Sequence, residues 1–221
     1  MKQQLLTFLK GILAGLAIGV GGFLYILMIH YFKGELGNVL GSLLFAVGLF
    51  TVCTFYLMLY TGKIGLVFEK KQEKSFYVSL PIMLIGNAVG AIGLGYLCFV
   101  IFKNSEIMNT VASVCAKRTT LFTFNDYLSL MVKSFLCGLC VYMAVKCFGL
   151  NRLKPVGIIL LVTFVFVFVY AGFQHCIANM YYLGFGNQYG NGYTYANLAL
   201  CILFNSLGTI PGVLIFKIVK K

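Results

Sequence analysis

Apolar residues run along this chain in blocks long enough to cross a bilayer, at roughly 11–32, 38–68, 76–102, 125–149, 155–184 and 195–218, parted by short polar connections. A hydrocarbon core of about 30 Å takes about 20 apolar residues of helix. The pattern therefore predicts an all-α membrane protein of six transmembrane helices, with residues 1–221 forming a single transmembrane domain and no room for a soluble one. The first block, GILAGLAIGVGGFLYILMIHYF, is too long for a signal peptide and lacks a convincing small-residue cleavage site, so it is expected to be the first span.

The second and fifth blocks are longer than one crossing needs, and each holds an awkward polar insertion, Tyr56 to Lys63 and Ala171 to Asn179. If the chain is two three-helix halves, these are the middle helices of each half. Helices interrupted at corresponding positions are the sequence pointer to an inverted repeat with a binding site near the midplane. A weaker echo links the third and sixth blocks: GNAVGAIGLG (Gly86 to Gly95) and FNSLGTIPG (Phe204 to Gly212) each carry an Asn followed three residues later by Gly. Small residues let helices approach closely in lipid. Gly11, Gly15, Gly19 and Gly22 make such a stripe in the first block, a seam expected either within or between subunits.

Composition agrees with the pattern: 61% hydrophobic, 10% charged, mean hydropathy +0.95. A net charge of +12 would suggest nucleic acid in a soluble protein, but here the basic residues sit mostly in connections, where they set topology. Lys2, Lys10, Lys70, Lys71, Lys74, Lys146, Arg152, Lys154, Lys217, Lys220 and Lys221 fall on one side of a six-span thread. Lys33, Lys103, Lys117 and Arg118 fall on the other. Both termini are thus expected in the cytoplasm, and nucleic acid is not expected as a partner. The eight cysteines lie largely in apolar runs without metal-ligand spacing, as small buried hydrophobes do. No metal or cofactor is expected.

All five acidic residues, Glu35, Glu69, Glu73, Glu106 and Asp126, fall at or near span ends, which leaves no carboxylate inside the bundle for cations or proton relay. The interior offers amides, hydroxyls and one imidazole, so an anion or a neutral molecule is the expected substrate. His175 is the histidine deep in a span, with Gln174 before it and Asn179 one turn after; an ionisable group within a span is a functional candidate by default. An anion entering beside it and a proton bound to it would stabilise one another. His30, at the end of the first span, reads as interfacial.

Three segments, GFQHCIANMYYLGFG, GNAVGA and NLALCILFNSLG, resemble in order the helix signatures of the formate/nitrite transporter family. GLFTVCTFYLMLYTG is similar to that family's broken second helix. The resemblance implies an aquaporin-like fold assembled as a homopentamer, with one pore per protomer. It puts Phe45, Leu49, Leu59 and Thr61 on pore-lining positions, and Phe168 seven residues before His175. Apolar constrictions of Phe45 with Phe168 and of Leu49 with Leu59 are implied on either side of a centre made by Thr61 and His175. Asn179 and Asn205 are implied as further donors or as partners of backbone freed by the breaks. Two departures stand out: Gln174 replaces a common glutamate, and the vestibule lysine aligns with Lys117 only through a short insertion, with Arg118 as a local substitute.

The function so expected is passage of a small monovalent anion such as formate or nitrite, with possible proton coupling through His175. Hydrosulfide is the rival within the same family. A water or glycerol channel would want paired Asn-Pro-Ala half-helices, and a membrane enzyme or haem protein would want paired histidines, a redox motif or catalytic carboxylates; neither pattern is present.

Overall fold

The computed structural model describes residues 2–149 and 154–219, and these are helical with no strand among them. Arg152, Lys220 and Lys221 of the basic set lie outside the described residues. The helices are α1 (Lys2–Tyr31), α2 (Glu35–Thr54), α3 (Tyr60–Lys63), α4 (Leu66–Glu69), α5 (Lys74–Phe102), α6 (Ile107–Thr119), α7 (Phe124–Phe148), α8 (Lys154–Tyr170), α9 (Cys176–Phe185), α10 (Gly192–Leu207) and α11 (Thr209–Val219). Five helical stretches are long and apolar enough to cross a membrane: α1, α2, α5, α7 and α10 with α11. Pro155–Tyr170 is apolar but shorter.

Three boundaries differ from the hydrophobic pattern. Helix α1 begins at Lys2 rather than near residue 11, because nothing in KQQLLTFLK stops a helix even though its polar residues lie outside an apolar block. Helix α6 falls in what reads as a connection. It is too short to span, and it buries Ile107, Val111, Val114, Cys115 and Thr119 on one stripe while bringing Lys117 and Arg118 to its last turn. The non-helical segments are also tighter than the polar insertions suggest, covering residues 55–59 and 171–175 only.

Those two segments are built alike. Helix α2 ends with Leu57 N–H on Val52 C=O (2.9 Å) and Tyr56 N–H on Cys53 C=O (3.4 Å), and α8 ends with Phe173 N–H on Phe168 C=O (2.9 Å) and Gly172 N–H on Val169 C=O (3.0 Å). Both are Schellman caps, whose reversal needs one left-handed residue. Tyr56 (φ 52°) and Gly172 (φ 70°) supply it.

An asparagine from a neighbouring helix then holds each segment. Asn87 of α5 accepts from Tyr60 N–H (2.8 Å) and donates to Met58 C=O (2.8 Å) and Gly11 C=O (2.9 Å). Asn205 of α10 accepts from Cys176 N–H (2.9 Å) and donates to Gln174 C=O (2.8 Å) and Ser134 C=O (2.7 Å). Freed backbone groups have no water to turn to in lipid, so each buried asparagine satisfies a break that would otherwise be prohibitive.

The glycines three residues after these asparagines explain the echo. A Cβ on Gly90 would run into Ile12 C=O, and one on Gly208 into Phe135 C=O. Gly15 and Gly138 likewise lie against the backbones of Asn87 and Asn205. The α1 stripe is therefore a seam within the protomer: Gly11 and Gly15 meet α5, while Gly19 and Gly22 meet the Tyr181 ring of α9. The cysteines are free thiols, all buried except Cys53, which is half-buried.

Candidate functional site

The two segments bring Thr61 and His175 together. Thr61 lies in the first turn of α3, and His175 is the N-cap residue of α9. Their side chains meet at 2.9 Å between Thr61 Oγ1 and His175 Nε2, 1% and 3% exposed. His175 Nδ1 accepts the Ala178 N–H at 3.2 Å. A nitrogen that accepts carries no proton, so the neutral imidazole holds its hydrogen on Nε2 and donates it to Thr61 Oγ1. The threonine hydroxyl keeps its own hydrogen for another acceptor.

Apolar side chains surround this pair. Phe45 and Phe168 meet edge to face with centroids 5.7 Å apart, and the Phe168 ring lies 6.0 Å from the His175 imidazole. Leu49 and Leu59 are buried in the same cluster. On the face away from the termini, a cavity of about 70 Å³ is lined by Phe45, Phe168, Gln174, His175, Asn179, Lys117 and Arg118, among others. The side chains expected at the site thus share one region, with Asn205 behind the 171–175 segment as a backbone partner.

The polar network around His175 runs through Asn179. Its Nδ2 donates to Gln174 Oε1 (2.8 Å) and Asn197 Oδ1 (2.9 Å), and its Oδ1 accepts from Arg118 Nε at 2.8 Å. The Arg118 guanidinium also donates to Val114 C=O and lies 4.4 Å from the centroid of the Tyr182 ring. Gln174 offers Asn179 the acceptor a carboxylate would, without the charge. Arg118 is therefore half-buried with no carboxylate in ion-pair range among the described residues. The interior expected to hold amides, hydroxyls and one imidazole also holds a fixed positive charge. Lys117 is exposed at the same cavity without entering the network.

Sequence reasoning passed over several contributors. Asn87 mirrors Asn205, and the shared Asn-x-x-Gly spacing was its signal. Lys63 and Lys133 both lie inside blocks drawn as spans, where an ionisable side chain is a candidate by default. Lys133 lines a second cavity on the far face with Lys117 and Gln174, and its carbonyl accepts the Gln174 N–H at 3.4 Å. Tyr60 Oη, 3.0 Å from Ser206 Oγ, ties α3 to α10. His30 bonds Thr110 Oγ1 at 3.1 Å and fastens α1 to α6.

A bundle of helices long and apolar enough to cross a bilayer, closed around a buried, hydrogen-bonded polar centre, defines a multi-pass membrane protein. The chain belongs to the formate/nitrite transporter family, whose model matches residues 2–220. Formate channel FocB of Escherichia coli (strain K12) is 22% identical over 193 residues, covering 83% of this chain and 67% of that protein. A pentameric formate channel solved with formate bound shares the fold at TM-score 0.75 and 22% identity, over 97% of this chain and 94% of that one. An FNT family ion channel aligns at TM-score 0.69 and 19% identity, over 96% and 86%. The family is one of transporters rather than enzymes.

Proposed function

We propose that this protein is a channel-like transporter of small monovalent anions, formate or nitrite, across the cytoplasmic membrane, and that the Thr61–His175 pair is its centre. The observation that carries the reading is this pair of donors, buried between apolar rings where two half-helices meet. An anion losing its water at Phe45 and Phe168 or at Leu49 and Leu59 needs compensation from such donors. Arg118, with Lys117 and Lys133 nearby, draws it into the far-face mouth. The hydrogen on Thr61 Oγ1 is directed to the anion, and the Nε2–H of His175 supports it from behind.

Proton coupling fits the same geometry. A second proton on His175 at Nδ1 displaces the buried Ala178 N–H, at a cost of about 1–3 kcal/mol. A unit anion at about 4 Å stabilises the imidazolium by about 4 kcal/mol at an effective dielectric of 20. The anion's attraction offsets the lost cap and part of the cost of charging a buried imidazole, so occupancy favours protonation.

In this reading residues 1–221 form one domain of six spans in two inverted halves. The second span is α2 to α4 and the fifth is α8 with α9, both interrupted. The matched Schellman caps and asparagines support it. Lys63, Lys70 and Lys71 share one cavity with Gln3 near the N-terminus, and Lys63 and Lys70 share another with Lys217 near the C-terminus, which favours a cytoplasmic position for the face carrying both. Exposed Val47, Ile85, Val89, Leu97 and Ile101 face lipid or sister subunits of a homopentamer like that of the similar formate channel.

The test is flux of formate, nitrite, hydrosulfide, chloride and glycerol into proteoliposomes at two pH values, with protein-free liposomes as control. Fast, pH-dependent formate or nitrite flux is expected, and a preference for hydrosulfide would change the substrate. Glycerol flux alone, or none, would refute the reading. His175→Asn should assemble normally yet lose or strongly alter flux; parental rate and pH dependence would rule out the histidine mechanism.

A further inference from the structure

We infer that Lys63 is the anion-attracting group of the pore mouth on the face carrying the termini, a fixed-charge station for a small carboxylate or similar monovalent anion. The inference rests on the pore reading above and adds to it a second cation, on the opposite side of Thr61 and His175 from Arg118.

Lys63 closes α3, two residues after Thr61 and one turn beyond Leu59. Three cavities open on this face, of about 580, 550 and 330 Å³, and Lys63 lines all three. The third is also lined by Leu59 and Val52, so the lysine stands where the open space meets the apolar constriction. Its side chain is half-buried and makes no hydrogen bond or ion pair with any described residue.

Glu69, Lys146 and Lys217 are already engaged. Glu69, the carboxylate of the largest cavity, is ion-paired with Lys146 and accepts the Tyr142 hydroxyl at 2.9 Å. Lys217 Nζ donates to Phe68 C=O at 3.2 Å. Lys70 and Lys71 line these cavities too but are exposed, whereas Lys63 is half-buried and is the cation of the cavity that reaches Leu59. A half-buried ammonium without a counter-ion is screened less than a surface one and attracts an anion more strongly.

The repeated architecture places it in register with the far face. Counting from the matched caps Tyr56 and Gly172, Leu59 corresponds to His175 and Lys63 to Asn179. Asn179 is the residue that holds the Arg118 guanidinium at 2.8 Å. In one half the cation is recruited from α6 through an amide, and in the other it stands on the half-helix itself. An anion leaving the Thr61–His175 centre in either direction therefore meets a fixed positive charge about one helical turn beyond it.

The test uses the full chain in proteoliposomes with orientation scored by protease access to a C-terminal tag. Formate entry is measured separately from each face for the parent, Lys63→Gln, Lys63→Met and Lys63→Arg. Removing the charge should raise half-saturation from the terminal face roughly three- to tenfold, leaving maximal flux and the far-face value within about twofold. Arg should restore the parent value. Half-saturation of the parent from that face should also rise as potassium gluconate is raised, and this readout stands even if neither neutral variant assembles. Unchanged half-saturation in Gln and Met, equal effects from both faces, or a parent insensitive to ionic strength would overturn the Lys63 role alone. A parent that passes no anion would instead sink the pore reading.

Discussion

Replacing Asn205 by Leu removes a side chain that makes three buried bonds: it accepts from Cys176 N–H at 2.9 Å and donates to Gln174 C=O at 2.8 Å and Ser134 C=O at 2.7 Å. Leucine is close in volume, so the cost is electrostatic rather than a cavity. An orphaned buried backbone group costs about 1–3 kcal/mol. Ser134 C=O lies inside α7 and keeps its helical partner, so the Cys176 N–H and the Gln174 C=O, which retains only the Cys201 thiol at 3.1 Å, put the loss at about 2–5 kcal/mol. That is a large part of a typical protein's stability. Asn87→Leu orphans Tyr60 N–H and Met58 C=O in the same way, Gly11 C=O keeping its partner inside α1, and the two losses should match within about 1 kcal/mol. The assay is the yield and thermal midpoint of the assembled protein in detergent, for both variants and for Asn205→Asp, which keeps the acceptor but loses the two donated bonds. Asn205→Leu with parental yield and midpoint but impaired flux would refute this reasoning and make Asn205 a pore group instead of a backbone cap.

Two further outcomes follow from the site and the breaks. Arg118→Gln removes the charge bonded to Asn179 and lying against Tyr182. Charged hydrogen bonds are worth about 1.5–3 kcal/mol, so half-saturation for formate entering from the far face should rise by about tenfold or more, and Arg118→Lys should recover only part of it. Equal flux in Arg118→Gln would show that Lys117 and Lys133 suffice. Gly172→Ala meets nothing within 4 Å, so its penalty is the left-handed backbone alone (φ 70°). That amounts to about 1–2 kcal/mol, read as a lowered thermal midpoint, whereas Tyr56→Gly at the matched cap should carry no comparable loss. A midpoint unmoved by Gly172→Ala would show that the cap is not rigid.

Several features were legible before any coordinates. The apolar blocks, the polar insertions in the second and fifth of them and the Asn-x-x-Gly echo pointed to membrane helices, two awkward segments and a paired asparagine. Lipid makes such signals loud, because a charge or an unpaired backbone group there needs a reason. Helix α6 was not legible, because an apolar stripe too short to span a membrane resembles any connection until α1, α9 and α10 are packed against it. The different placement of Lys117 and Arg118 was not legible for a related reason. They are sequence neighbours, and only the pitch of α6 decides that Arg118 turns inward to Asn179 while Lys117 stays exposed.

What the sequence determined by itself was therefore the solvent and the register: hydrophobic blocks of bilayer length and the few polar residues costly enough to be meaningful within them. What only the tertiary structure decided was pairing. That Thr61 meets His175 across 114 residues, that Asn87 and Asn205 close opposite breaks, and that Lys63 has no partner among the described residues depend on which helices lie side by side. Hydrophobicity is non-directional and can place a helix in lipid without saying what it touches. Hydrogen bonds and charges act within a few ångströms, and their partners exist only once the chain has folded.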